Sequence, residues 1–242
     1  MPRCLGQLAD FMKAVQFRDE VLIAGTGPSA RALVSPELAF ALNNPLVAGN
    51  PRWERLTARR TVILCNGAPD VDGADVFMAF DGGATERWWY RQARAQHYLL
   101  GRRLAEKKQP TQDWWEFNYS GSLFDLTHGH RPEVRWRPEG CGWKPGDGPQ
   151  HGYLHRGASI VGAAYQLALH YYNVERIYLI GVEHCGNEKW DERSHSIRRS
   201  YGPLMDTLIE RARRGNIYPG RSPVETFHYG PARLACTKLA IP

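Results

Sequence analysis

An apolar run that stops on two glycines sets the frame for this chain: Val21-Leu22-Ile23-Ala24-Gly25-Thr26-Gly27-Pro28-Ser29. A short apolar run bounded by Gly and Pro reads as a buried strand that turns sharply into a helix. Gly25 and Gly27 remove Cβ atoms where a phosphate would approach the backbone. Pro28 suits a first helical position, which needs no N–H, and the N–H groups beyond it attract anions. The turn points to a nucleotide or another phosphorylated small molecule, or else to a glycine turn that serves packing alone.

Similar runs recur at 62–65, 76–80, 176–181 and 224–228, with helical patterns at 85–108, 158–172, 197–214 and 231–240. Strands that alternate with helices predict an α/β fold: a Rossmann-like, mostly parallel sheet with helices on both faces. Ligands of such sheets sit at the carboxyl ends of the strands, so Gly25, Asn66, Asp81, Gly181 and Glu183 are expected along one crevice. The length of 242 residues fits a single domain over 1–242. Residues 109–155 are rich in Gly, Pro, Trp and His and show no clean period. With the helix before it, this segment holds Trp88, Trp89, Trp114, Trp115, Trp136 and Trp143, and a loop-rich insertion of this kind reads as a functional cap.

The net charge of +6 favours acidic partners such as nucleotides, anionic sugars or nucleic acid. Five scattered cysteines, none in CxxC spacing, give neither a disulfide framework nor a cysteine zinc site. No apolar stretch approaches the ~20 residues of a membrane span, and the opening residues do not read as a signal peptide. A cytoplasmic protein without a membrane span is therefore expected, and a homo-oligomer stays open. Asp70-Val71-Asp72, with Asp75 nearby, has the DxD spacing that holds a divalent ion with diphosphate. It follows Asn-Gly-Ala-Pro, however, and reads as a solvated turn. His128-x-His130 and His151-x3-His155 lack clear partners, so no metal is expected.

A second small-residue turn runs from Arg156 through Ser159 to Gly162 into an apolar helix and the strand ending at Gly181. Arg156, the Ser159 hydroxyl and the helix N–H groups suit a second phosphate or a sugar; a plain helix N-cap explains the same residues. Arg87 and Arg91 fall at helical spacing beside Trp88. Aromatic faces stack on bases and sugars while arginines pair with phosphates, so this patch and the Trp114-Trp115 pair are acceptor candidates, for a glycan or DNA. An ordinary solvated helix face is the competing reading of the arginine patch.

The order Ala-Gly-x-Gly-Pro-Ser, then Cys65-Asn66 after a strand, then small residues opening a helix and Glu-Arg-Ile-Tyr-Leu-Ile-Gly-Val-Glu resembles a known family. It looks like the bacterial sialyltransferases of the Campylobacter lipooligosaccharide type. It is also similar to the related Gly-Pro-Ser-turn proteins that include pterin-pyrophosphokinase-like members. The likeness continues through Ser194-His195-Ser196 and the closing segment around 227–239, leaving out the middle cap. The resemblance implies a glycosyltransferase with a CMP-sugar donor, a flexible lid, no cofactor and no metal requirement. By position it places the donor's nucleotide on Gly25, Thr26, Gly27, Ser29 and Asn66, with Asp81 where the family has an asparagine. It makes His195 the general base on the acceptor hydroxyl, a task an imidazole performs near neutral pH. Thr26 replaces the family's usual asparagine, and the family's phosphate-binding tyrosines are missing after Gly181. His184, Lys189 and Arg193 stand there instead, and cationic groups can stabilise a leaving phosphate as donors do.

The expectation is thus a sugar transfer from a nucleotide-activated donor to an acceptor hydroxyl, on a glycan or on a hydroxymethylated base in DNA. Two other classes stay open: a pterin-type pyrophosphokinase using ATP and Mg²⁺, and a non-catalytic nucleotide- or nucleic-acid-binding module.

Overall fold

A computed structural model describes residues 2–25, 28–31, 51–66, 74–80, 95–107, 110, 112–119, 153–154, 159–182, 205–206, 208–215, 220–230 and 234–240. Its strands are β1 (Cys4–Gln7), β2 (Glu20–Ala24), β3 (Thr61–Cys65), β4 (Ala74–Ala79), β5 (Ala95–Gly101), β6 (Trp114–Tyr119), β7 (Tyr153–Leu154), β8 (Arg176–Ile180), β9 (Glu225–Tyr229) and β10 (Thr237–Leu239). Its helices are α1 (Leu8–Ala14), α2 (Pro28–Arg31), α3 (Pro51–Thr57), α4 (Arg102–Lys107) and α5 (Ile160–His170). Residues 208–213 are helical as well.

Nine strands lie side by side in the order β1-β6-β5-β4-β3-β2-β8-β9-β10, and β7 pairs the far end of β6. Every pairing is parallel. The reason lies in sequences such as β2, where Val21, Leu22, Ile23 and Ala24 are all wholly buried. Val21 and Ile23 pack on one face of the sheet, Leu22 and Ala24 on the other. A strand apolar on both faces needs helices on both, which parallel crossovers supply. Leu8 and Phe11 of α1, Val161 to Leu169 of α5, and Leu208, Ile209 and Ala212 cover the first face. Leu56 of α3 and Leu104 of α4 pack on the second.

From β2 the chain steps outward through β3, β4, β5 and β6; with β8 it returns to the other flank of β2 and steps outward through β9 and β10. The reversal makes the β2–β8 boundary the topological switch point, where open α/β sheets leave a crevice beyond the strand ends. The opposite end of these strands is tied by charge. Glu20 accepts from Arg60 Nε at 3.0 Å and from Arg176 Nη1 at 2.8 Å, and the Arg60 guanidinium lies 3.6 Å from the centre of the Tyr178 ring. Burial raises the Glu20 carboxyl, but the two guanidiniums outweigh it and hold the carboxyl below its ordinary value.

The Rossmann-like α/β class, its parallel sheet and all five expected strands are present. Three expectations about the elements between them are corrected. The helix expected over 85–108 contains β5 at Ala95–Gly101, and only Arg102–Lys107 is helical among its described residues. Tyr98, Leu99 and Leu100 form a short apolar run, which period alone does not assign, and the sheet interior claims it. The helix expected over 231–240 contains β10, an edge strand held by its pairing with β9. Within the cap expected over 109–155, β6 and β7 belong to the sheet; most of that segment lies outside the described residues.

Candidate functional site

Four neighbouring strands leave the carboxyl edge of the sheet through small or left-handed residues. β3 ends at Asn66, with φ of 51°, and β8 at Gly181, with φ of 69°; Gly25 follows β2, and Gly230, with φ of 110°, follows β9. Asn is among the few residues that adopt the left-handed region with small penalty. The Asn66 N–H continues the ladder, donating to the Met78 carbonyl at 3.0 Å. Its side-chain Oδ1 is buried without a hydrogen-bond partner among the described residues.

At the switch point the backbones of Gly25 and Gly181 touch. The Gly25 N–H donates to the Ile180 carbonyl at 2.8 Å, and the Gly181 N–H donates to Ser29 Oγ at 2.6 Å. A Cβ on Gly25 would sit 2.5 Å from the Gly181 carbonyl oxygen and 3.3 Å from Val161 Cγ2. A Cβ on Gly181 would run into the Gly25 carbonyl oxygen and lie 2.8 Å from Ala30 Cβ. Both glycines are required here by close approach.

The start of α5 completes the edge. Ser159 is its N-cap, with Oγ accepting from the Gly162 N–H at 3.1 Å and its carbonyl accepting from the Ala163 N–H at 3.1 Å. The N–H groups ahead of Gly162 have no acceptor within the helix. Val161 approaches Gly25, and the Ile160 carbonyl is 4.0 Å from Cys65 Sγ, so this positive helix end stands over the ends of β2 and β3. Burial pushes the Cys65 thiol far above its ordinary range, which makes it a packing group rather than a nucleophile.

The structure thus brings together Gly25, Ser29, Asn66, Ser159 and Gly162 of the expected donor residues. Ser29 and Ser159 each accept a backbone N–H with their hydroxyl oxygen, one latching α2 to the β8 turn and the other capping α5. Thr26, Gly27, Asp81, Arg156, His184, Lys189, Arg193, His195, Arg87, Trp88 and Arg91 lie outside the described residues. Trp114 and Trp115 stand in β6, four strands from β2, and are not brought to this edge. Trp115 turns toward the core, with its ring edge-on to Phe11 at 6.1 Å. Asp75 of the acidic run is occupied: its Oδ2 accepts the Val62 N–H at 2.8 Å. Among the described residues no group of three or more His, Cys, Asp or Glu side chains is arranged to hold a metal, and no helix is long and apolar enough to cross a membrane.

Sequence reasoning passed over His228, which ends an expected strand and is wholly buried one residue before the end of β9. Burial lowers its imidazole, the Gly230 backbone pulls the other way and the Lys238 ammonium adds to the lowering, leaving it at about 4. A histidine between two aromatic residues, Phe227 and Tyr229, was the only signal in the sequence.

Fold and edge together define an α/β protein of Rossmann-like type with its topological switch point at the β2–β8 boundary. No protein-family profile matches the chain, and no curated protein is significantly similar to it.

Proposed function

We propose that a crevice at this switch point holds the nucleotide of an activated sugar and that the protein is a glycosyltransferase, with a CMP-sugar as favoured donor. The observation that carries the reading is the positive start of α5 over the ends of β2 and β3, with the Asn66 carboxamide oxygen one residue past β3 left unpaired among the described residues. The two supply what a nucleotide needs: an anion-binding helix end and an acceptor for a base or ribose donor. The transfer itself rests on the order of sequence motifs. His195 takes the proton from an acceptor hydroxyl, the hydroxyl oxygen attacks the anomeric carbon, and the nucleotide leaves with its bonding pair. His184, Lys189 and Arg193 offer positive charge to the leaving phosphate. No cofactor or divalent metal enters this scheme, and the donor is a substrate.

The test is a thermal-shift screen of the intact protein against CMP, UDP, GDP and ATP, with Mg²⁺ or with EDTA. A saturating nucleotide at 100 times its Kd stabilises the folded state by about 2.7 kcal/mol. CMP stabilisation that persists in EDTA, with sugar release from a CMP-sugar lost in His195→Ala, supports the proposal. Stabilisation by ATP alone and only with Mg²⁺ would transfer the site to pyrophosphokinase chemistry. No stabilisation by any of the four overturns the nucleotide reading.

A further inference from the structure

We propose a second binding site, on the face of the sheet between α4 and the β6–β1 edge, that takes the ring of a neutral sugar. It is a groove of about 510 Å³ lined by Gln7, Arg102, Ala105, Glu106, Trp114 and Glu116. That size falls in the range of small-ligand pockets, roughly 300–1,000 Å³. It lies four strands from β2, hence about 19 Å from the switch point at ~4.8 Å per strand, and is separate from the nucleotide crevice.

Alternation along β6 puts Trp114 and Glu116 on the same face. Trp114 is partly buried against the core beneath that face and is also one of the groove's lining residues. Planar polar groups surround it. Gln7 Nε2 donates to Glu116 Oε2 at 3.2 Å, and Arg102 Nε donates to Glu106 Oε1 at 2.7 Å. These bonds order the side chains and use one oxygen of each carboxylate; the other oxygens remain as acceptors, beside further N–H donors of Arg102 and Gln7.

The chemistry selects among ligand classes. Two carboxylates against one guanidinium repel a phosphate or other anion, in a chain whose overall charge is +6. Arg102, which both Glu106 and Glu116 favour in its charged form, opposes an organic cation over the indole. A pyranose presents hydroxyls that both donate and accept around a ring with an apolar C–H face. That pattern matches a groove lined by one indole side chain and a mixture of donors and acceptors. The site does not depend on the transferase reading, and a glycan-binding protein without catalysis would use it equally.

Saturation-transfer NMR on the intact protein with methyl glucoside, methyl galactoside and methyl N-acetylglucosaminide tests this, with inorganic phosphate and tetramethylammonium as competitors. At least one glycoside is expected to bind, with its C–H face receiving the transfer. Glu116→Gln should weaken that binding about tenfold, and Trp114→Phe should retain it better than Trp114→Ala. Because Trp114 also touches the core, the surface variants Glu106→Gln and Glu116→Gln carry the test if Trp114→Ala fails to fold. Binding by none of the three glycosides, binding unchanged in both Glu→Gln variants, or displacement by phosphate or tetramethylammonium would each overturn the proposal. The nucleotide-induced thermal shift is untouched by any of these variants, so the two sites fail independently.

Discussion

Replacing Gly181 by alanine separates two costs that the switch point combines. The first is conformational: Gly181 has φ of 69°, and a non-glycine residue in that region costs about 1–2 kcal/mol. The second is steric. The new methyl would run into the Gly25 carbonyl oxygen and sit 2.8 Å from Ala30 Cβ. Both obstacles are fixed, since Gly25 N–H is bonded to Ile180 and Gly181 N–H to Ser29. Forced overpacking of this kind costs about 1–3 kcal/mol, so Gly181→Ala should lose about 2–5 kcal/mol in all. Two other glycines isolate the parts. Gly220, with φ of 73° and nothing within 4 Å of an added Cβ, carries the conformational cost alone. Gly25, outside the left-handed region, carries the steric cost alone. Each variant regains ~0.4–1 kcal/mol from a stiffer unfolded chain, which cancels in the differences. Equilibrium urea unfolding with unchanged m-values is the assay. Gly181→Ala should exceed Gly220→Ala by about 1 kcal/mol or more; equal losses would refute the close packing of the two turns.

Asn66→Gly keeps the left-handed turn and should fold within ~1 kcal/mol of the parent while losing the nucleotide-dependent thermal shift. Asn66→Val should lose that shift and also cost about 1–2 kcal/mol for its conformation, which calorimetry will read. His228 has its imidazole at about 4 in the folded state against 6.5 ordinarily, so the unfolded chain binds the extra proton between these values. Its contribution, about 3 kcal/mol at 1.36 kcal/mol per unit, is complete above pH 6.5 and is lost as pH falls to about 4. His228→Leu should flatten that part of the stability–pH curve, and an unchanged slope would contradict the burial. Glu20→Gln leaves Arg60 without its carboxylate and Arg176 with only the more distant Glu225, and should cost about 1–3 kcal/mol at pH 7 by urea unfolding. Because the Glu20 carboxyl is held below its ordinary 4.5, the difference from the parent should shrink as pH falls through and below that value.

The central strands were legible because each is an apolar run closed by Gly, Asn or a polar turn, and burial on both faces demands such a run. The outer strands were not. β1 carries Gly6 within a short exposed stretch, and β10 has three residues that suit a helix as well. β6 interleaves Trp115 and Phe117, facing one way, with Trp114 and Glu116, facing the other; its aromatic content was the strand signal, masked by the Gly- and Pro-rich segment that follows. Gly25, Asn66 and Gly181 could each be placed at a strand end from sequence, whereas the mutual contact of Gly25 and Gly181 arises only when β8 docks beside β2. His228 shows the same limit: whether a strand histidine titrates near neutral pH depends on its burial in the finished fold.

The position of β1 bears on how the chain assembles. It precedes every other described strand, yet its hydrogen-bonded neighbour is β6, about 110 residues later, as in the contact from Arg3 to Asp113. Until β6 exists, α1 has no sheet on which to set Leu8 and Phe11, both wholly buried in the finished fold. A growing chain therefore carries an unsheltered apolar helix through the synthesis of the central strands. Such distant pairings slow folding and leave apolar surface open to aggregation. Among the described strands β1 comes first in the chain, and it pairs only once the fifth strand after it has been made.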